Sequence, residues 1–273
     1  MARATINGAD LYYEEQGSGE PLLFHHGYTG SHDEWEGTVE RLKDKYRCIV
    51  MDCRGAGDSE HTADGYTIKQ YAADAVGLID HLGIDAFTYI GHSMGGITGM
   101  QLAMDYPNRL DRLVLVAPAP ADGVSAPPEY QERARKLHMD GAREQMIREA
   151  ILMNARDITE ERMGRNVDRG LSVSDEHYDR SWEELENFRP GDGISDIHTP
   201  TLMVSGAADA LLQANLKDYE RLPNATLHVF SRVGHSIARD VPEEFAAVLD
   251  DFLTNGVVTA QTQMAKLMAV VSL

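Results

Sequence analysis

The amino-acid sequence predicts an α/β protein with a mostly parallel central sheet and helices on both faces. Continuously apolar runs of strand length recur along the 273 residues, and stretches with helical periodicity separate them. Parallel strands buried on both faces show this continuous pattern, whereas half-exposed strands alternate. The alternation of runs stops between residues 121 and 196, where polar helical stretches occur without a strand-like run. This segment predicts a helical insertion between two core strands, and the core comprises residues 1–120 and 197–256.

The chain begins with a predicted hairpin, in which residues 2–6 and 11–16 flank an Asn7-Gly8 turn. This hairpin adds an antiparallel edge to the sheet. The apolar run "PLLFHH" at 21–26 predicts the next strand, and a helix follows with Ser31 as its N-cap. The run "YRCIVMD" at 46–52 predicts another core strand.

The later elements follow the same alternation. Residues 68–81 have apolar side chains on one side of a helix, and the stretch after Ser93 turns helical immediately. The remaining apolar runs predict strands at 86–93 and 112–119, in "TPTLMVSGAAD" at 199–209 and in "ATLHVFSRVG" at 225–234.

Composition restricts the function. The formal net charge of −19 disfavours binding to nucleic acid, because phosphates would be repelled. The N-terminus lacks an apolar signal core, and no apolar run approaches the roughly 18 residues that span a bilayer, so we expect a cytoplasmic protein without a membrane partner. Cys48 and Cys53 lie around one strand end and are expected to be free thiols.

Residues 257–273 follow the last element of the predicted core and are not needed to complete it. Apolar residues recur there at helix spacing, which predicts an extra helix. We expect this helix to pack on the core. The alternatives are a contact between subunits of a homo-oligomer and a disordered tail.

A serine crowded by glycines interrupts one predicted strand–helix junction. Gly91-His92-Ser93-Met94-Gly95 fits the pattern G-x-S-x-G, with a strand before it and a helix after it. In this arrangement the serine occupies a sharp turn that exposes its hydroxyl, and side chains at either flanking glycine would collide with the backbone. Ser93 is therefore the predicted nucleophile.

A serine nucleophile needs a base and a third group that orients the base. In this architecture the acid and the histidine follow the serine in that order. Asp209 comes just past a predicted strand end and is preferred over Asp122, which begins the insertion. His235 lies in a loop beyond the last strand and is preferred over His228, which lies inside that strand.

Two backbone N–H groups are expected to stabilise the oxyanion. One belongs to Met94, the residue after the nucleophile. The other is assigned to Tyr28, in the loop after the strand at 21–26, where Gly27 and Gly30 allow the backbone to face inward. No metal or organic cofactor is predicted, because His25, His26 and the neighbouring acidic residues lack the spacing of a metal motif.

The segments "HHGYTG", "DCRGAGDS", "GHSMGG", "SGAADALL" and "RVGHS" follow the order found in the α/β-hydrolase fold, and the chain resembles serine hydrolases of that family up to about residue 254. The resemblance implies a triad of Ser93, Asp209 and His235 beneath a helical cap formed by residues 121–196. Together with the acidic charge of the insertion and of the chain, it leads us to expect an uncharged carboxylic ester or lactone as substrate. Carbon–carbon cleavage by the same triad, and a slow-turnover ligand receptor of this fold, are the alternatives.

Overall fold

The computed structural model describes residues 2–156 and 158–271 of the chain. The predicted core, insertion and tail each include a residue outside this range: residue 1, residue 157, and residues 272 and 273. The described residues form an eight-stranded sheet with the order β1-β2-β4-β3-β5-β6-β7-β8. The strands are β1 Ala2–Ile6, β2 Ala9–Gln16, β3 Glu20–His25, β4 Tyr46–Met51, β5 Phe87–His92, β6 Leu110–Val116, β7 Thr201–Gly206 and β8 Ala225–Phe230.

The sheet is antiparallel only at the edge that begins the chain. Strand β1 pairs antiparallel with β2, which pairs antiparallel with β4, and the pairings from β4 through β8 are parallel. The predicted fold class is therefore confirmed. Because the carboxyl ends of β3, β5, β7 and β8 meet at one edge of the sheet, the loops after these strands are brought together there.

Helices cover both faces of this sheet. Helices α2 and α3 pack on one face through residues such as Tyr71 and Met100, and α1 and α10 pack on the other through Val39 and Phe245. The helices of the core are α1 Glu36–Leu42, α2 Ile68–His81, α3 Met94–Asp105, α8 Leu212–Arg221, α9 Ile237–Asp240 and α10 Pro242–Asn255.

The segment between β6 and β7 is helical, as predicted. It contains α4 Pro128–Met139, α5 Arg143–Met153, α6 Glu160–Leu171 and α7 Asp175–Asn187. The sequence did not single out α6, which buries little more than Met163, Gly164 and Val167. Helix α7 begins six residues before the predicted stretch at 181–188, because Ser174 caps it by accepting a hydrogen bond from His177 N–H at 3.1 Å.

The C-terminal segment forms helix α11, Ala260–Val271. The expected packing of this helix on the core is wrong for the described residues, because Met264, Leu267 and Val270 are 58%, 55% and 71% exposed. Cys48 and Cys53 are buried free thiols, as expected. Across the described residues, none of the helices combines the length and the apolar character needed to cross a bilayer.

Candidate active site

Ser93 occupies a strained turn between β5 and α3. Its backbone angles are φ 51° and ψ −109°, a left-handed conformation that is unusual for a residue with a side chain. The turn is held from both sides, because Ser93 N–H donates to the Val116 carbonyl at 3.0 Å and the Ser93 carbonyl accepts from Gly96 N–H at 2.9 Å. These two hydrogen bonds fix the position from which the Ser93 hydroxyl projects from the edge of the sheet.

The glycines that flank Ser93 allow a close approach of backbone segments. A Cβ on Gly91 would lie 2.1 Å from the Gly95 carbonyl oxygen, and a Cβ on Gly95 would lie 2.4 Å from the His25 carbonyl oxygen. Both distances are far below van der Waals contact, so the predicted collisions with backbone are confirmed. The Tyr89 hydroxyl also holds this turn, because it donates to the Gly95 carbonyl at 2.9 Å.

Asp209 and His235 meet at the same sheet edge, just after β7 and β8. His235 Nδ1 lies 2.8 Å from Asp209 Oδ2, and the second carboxylate oxygen of Asp209 accepts from Leu211 N–H at 3.0 Å. Burial opposes ionisation of Asp209, but the hydrogen bond and charge of His235 outweigh it and lower the pKa of the Asp209 carboxyl. Asp209 is 3% exposed at its side chain and His235 39%, so the imidazole reaches solvent or substrate while its partner does not.

The competing residues lie elsewhere. His228 is half-buried inside β8, where its ring packs against Phe230 at a centroid distance of 4.3 Å. Asp122 is exposed and lies 3.3 Å from Arg221 Nη1, as expected for a loop aspartate.

The loop after β3 approaches the nucleophile closely. A Cβ on Gly27 would lie 2.9 Å from His92 Nδ1 and 3.2 Å from Ser93 Cβ, so only glycine allows this approach without displacement. The positive φ in the loop belongs to Thr29, at 55°, rather than to Gly27 or Gly30. Close contact with His92 and Ser93, rather than an unusual backbone angle, is therefore what requires Gly27.

The backbone N–H groups of Tyr28 and Met94 donate to no partner within the described part of the chain. Among the residues that the structure describes, neither donates a hydrogen bond to a carbonyl or a side chain. Buried N–H groups are nearly always paired, so a pair of unused donors beside a serine turn is a feature of a site that binds an oxygen.

Contacts from the insertion and from a buried histidine hold the Tyr28 loop. The Tyr28 hydroxyl donates to the Tyr178 carbonyl at 2.6 Å, and its ring stacks on His177 at 6.0 Å. His26 Nδ1–H donates to the Gly27 carbonyl at 2.7 Å, while its Nε2 accepts from Cys53 N–H at 3.1 Å. Burial lowers the pKa of His26, which agrees with a neutral, structural imidazole.

A cavity of about 630 Å³ lies between this loop and the helical insertion. Tyr28 and Thr29 form its floor side, and α4 and α7 supply most of the remaining wall. The charged side chains in the described lining are Glu132, Arg135 and Asp179. Arg135 is engaged, because its Nε and Nη2 each lie 2.7 Å from an Asp179 carboxylate oxygen.

One group in the described residues has the composition of a metal site. Donor atoms of His32, Asp52 and Asp58 lie within 4.8 Å of one another. The Asp52 carboxylate already accepts hydrogen bonds from His32 N–H, His32 Nδ1 and Asp58 N–H at 2.6, 2.8 and 2.8 Å. The Asp52 carboxylate oxygens are thus occupied by hydrogen bonds from His32 and Asp58, and we interpret the group as a structural contact that holds these loops together.

Glu34 is a residue at the site that sequence reasoning missed. Its carboxylate lies 2.5 Å from His92 Nδ1 and accepts from Gly27 N–H at 3.3 Å. Glu34 stands in the acidic stretch "HDEWE", where a solvent-exposed residue is the ordinary expectation, so no sequence signal identifies it.

Comparisons with known proteins identify the family of this chain. Residues 20–239 match the sequence profile of the α/β hydrolase fold. A 2-hydroxy-6-oxononadienedioate/2-hydroxy-6-oxononatrienedioate hydrolase of Paraburkholderia phymatum is 30% identical, over 89% of this chain and 90% of its own length. The chain therefore belongs to the α/β-hydrolase fold family, and it is a hydrolase by that membership.

Solved structures share the fold. A bromoperoxidase from Bacillus anthracis superposes with a TM-score of 0.85 at 23% identity, over 93% of this chain and 99% of its own. An esterase from Exiguobacterium antarcticum superposes with a TM-score of 0.82 at 24% identity, over 92% of this chain and 98% of its own.

Proposed function

We propose that the protein is a serine hydrolase that cleaves an uncharged carboxylic ester or lactone through an acyl-serine intermediate. Ser93 Oγ attacks the carbonyl carbon while His235 Nε2 accepts its proton, and the N–H groups of Tyr28 and Met94 stabilise the oxyanion. His235 then gives the proton to the leaving alcohol oxygen. A water molecule, deprotonated by His235, releases the acid and restores Ser93. Asp209 keeps the imidazole oriented throughout.

The observation that carries this proposal is the 2.8 Å contact between His235 Nδ1 and Asp209 Oδ2 beside a strained serine turn. The contact orients the base with its Nε2 free, which is the requirement for activating a serine. A fluorophosphonate probe tests the assignment, because it reacts with an activated serine. We expect labelling of the wild-type protein and none of Ser93→Ala, and labelling that persists in the variant would refute the role of Ser93.

Residues 121–196 serve in this proposal as a cap on the core formed by 1–120 and 197–256. The cavity between the Tyr28 loop and the insertion supports an uncharged substrate, and Tyr28 connects it to the proposed oxyanion site, although Ser93 and His235 are not among its described lining residues. Arg135 is neutralised by Asp179, which leaves Glu132 as the unbalanced charge of the described lining. Burial lowers the pKa of His138 on the same wall, so that side chain adds no positive charge near pH 7. A carboxylate would find no free cation among the described lining residues.

Matched substrates test this preference. A neutral ester and its ω-carboxylate analogue with the same leaving group should differ in kcat/KM by at least about 10-fold at low ionic strength, which is about 1.4 kcal/mol of transition-state binding. Raising the salt concentration should reduce the difference, because a repulsive field is screened. A faster carboxylate analogue would contradict the preference.

Carbon–carbon bond hydrolysis is the second candidate. The relative from Paraburkholderia phymatum is named for a dienedioate substrate, and the identity of 30% covers most of both chains. A panel of esters, lactones and ring-cleavage dienones, compared by steady-state rates, separates the two reactions. If a dienone has a higher kcat/KM than every ester of the panel, carbon–carbon bond hydrolysis replaces ester hydrolysis as the proposed function.

A slow ligand receptor of this fold would use the same triad. Such a protein acylates once and releases product slowly, whereas an enzyme turns over many times. We expect repeated turnover on at least one ester of the panel, measured against the amount of serine that the fluorophosphonate titrates. A single acylation event per titrated serine on all substrates would favour the receptor.

A further inference from the structure

His92, the residue before Ser93, has an oxygen atom close to each of its ring nitrogens. Its Nδ1 lies 2.5 Å from Glu34 Oε1, and its Nε2 lies 2.9 Å from the His235 backbone carbonyl oxygen. Neutral imidazole carries one N–H and can satisfy only one of these acceptors. Only the Nε2 contact has the alignment of a hydrogen bond, whereas Nδ1 faces the carboxylate at an ion-pair distance. A carboxylate this close to a buried ring favours the imidazolium form, which carries protons on both nitrogens.

The contacts of this pair reach each part of the proposed catalytic centre. Glu34 Oε2 accepts from Gly27 N–H at 3.3 Å, directly before the Tyr28 oxyanion donor. His92 is bonded through the backbone to Ser93, and its Nε2–H holds the main chain of His235. The oxyanion loop, the nucleophile turn and the loop of the base are therefore joined by two side chains that are 5% and 8% exposed.

The surrounding charges favour an ionised pair. Burial opposes a charge on His92, but the neighbouring Glu34 carboxylate outweighs burial and raises the pKa of His92, although Arg239 opposes it. Burial also opposes ionisation of Glu34, yet His92, with Arg239 and His26, lowers the pKa of Glu34 to about 2. The other titratable neighbours among the described residues are the His235 ring, at a centroid distance of 4.7 Å, and Asp209, whose carboxyl pKa is lowered in part by the charge of His92.

We propose that Glu34 and His92 form a buried carboxylate–imidazolium pair that positions the oxyanion loop, the nucleophile and the base relative to one another. The pair touches no reacting atom, so both are positioning residues. This inference rests on the proposed serine mechanism for its consequence. The charge state of the pair does not depend on that mechanism and is measured separately.

Nuclear magnetic resonance of the wild-type protein measures the charge state without substrate. At pH 7.5 the two ring nitrogens of His92 should both carry protons and show imidazolium ¹⁵N shifts. His32, which contacts Asp33 and Asp52 and whose pKa is raised to about 10, is expected in the same form. The spectra of His92→Gln and His32→Gln assign the two signals. A neutral His92 ring at pH 7.5 overturns the proposal, whatever the outcome of serine labelling.

Kinetics of Glu34→Gln, His92→Gln and the double variant test the positioning role. Each single variant should lower kcat at least about 10-fold per titratable serine, with KM changed less than about threefold. The double variant should lose less than the product of the single losses, because two amides can pair with each other without a buried charge. His228→Gln, a half-buried histidine on β8 away from the pair, is the control and should keep its kcat.

The pH profile separates positioning from simple destabilisation. Since the pKa of His92 is raised, the pair is intact below that pKa and is lost as the pH rises through it. Wild-type kcat should therefore fall on the alkaline side, and His92→Gln should lack that alkaline fall. Unchanged kcat per titrated serine in the single variants, or an identical alkaline limb in His92→Gln, would overturn the positioning role.

Discussion

Replacing Asp209 with asparagine changes one atom of the proposed triad and is the sharpest test of how His235 is held. In the wild-type site, Asp209 Oδ1 accepts from Leu211 N–H at 3.0 Å and Oδ2 faces His235 Nδ1 at 2.8 Å. An asparagine can satisfy Leu211 N–H only with its carbonyl oxygen. Its NH₂ group then faces His235 Nδ1 and donates to it.

This arrangement places the ring proton on Nε2, where it cannot accept the proton of Ser93. In serine proteases the equivalent substitution leaves the geometry intact and lowers kcat about 10⁴-fold, which corresponds to about 5.5 kcal/mol of activation free energy. We expect a loss of this order in Asp209→Asn. Folding should be little affected, because the substitution keeps the side-chain volume and the bond to Leu211.

The assay is steady-state hydrolysis of an activated ester, with thermal unfolding of each variant as the check on folding. Asp122→Asn is the matched control, because Asp122 is exposed and pairs only with Arg221 among the described residues. Its kcat should stay within about twofold of wild type. Asp209→Asn retaining more than about a tenth of wild-type kcat, with Asp122→Asn losing activity instead, would refute the reasoning.

The remaining predictions concern the base, the nucleophile and the turn between them. Ser93→Ala should lower turnover at least about 10³-fold, measured on the ester that wild type hydrolyses fastest. His235→Ala should be comparably severe and His228→Ala mild, and the reverse order would show that the wrong base was chosen. Gly95→Ala should destabilise the fold by about 1–3 kcal/mol in denaturant unfolding, because the new Cβ would meet the His25 carbonyl at 2.4 Å. The matched control Gly170→Ala meets only Thr29 atoms at 3.8–3.9 Å and should not destabilise, and equal effects of the two substitutions would count against a steric requirement at position 95.

The sequence predicted the core of the fold because its signals are local and repeated. The parallel strands of the sheet are short apolar runs, and α2 has an apolar face, so neighbouring residues carry the information. Strands β1 and β2 were predicted from the Asn7-Gly8 turn between them. Helix α6 was missed for the same reason. Its buried face consists of Met163, Gly164 and Val167 among charged residues, and most of its stabilisation comes from α5.

The tail shows a limit of a different kind. Met264, Leu267 and Val270 recur at helix spacing, and the helix forms, but the pattern does not contain the position of the partner surface. An apolar face on a helix predicts that another protein surface packs against it. The apolar pattern does not predict that this surface belongs to the core of the same chain.

Some residues of the candidate site could be predicted from the sequence and others could not. Ser93, Asp209 and His235 could be named because each lies at a strand end, and strand ends are visible in the sequence. Glu34 could not, because its role depends on His92 and on a backbone carbonyl that lies 143 residues beyond His92 in the chain. A buried carboxylate is stable only where donors converge on it, and convergence is a property of the assembled sheet edge. The burial that hides Glu34 from sequence reasoning opposes its ionisation, and His92 maintains the charge against that cost. A solvent-exposed glutamate at that position would be screened too strongly to fix three loops.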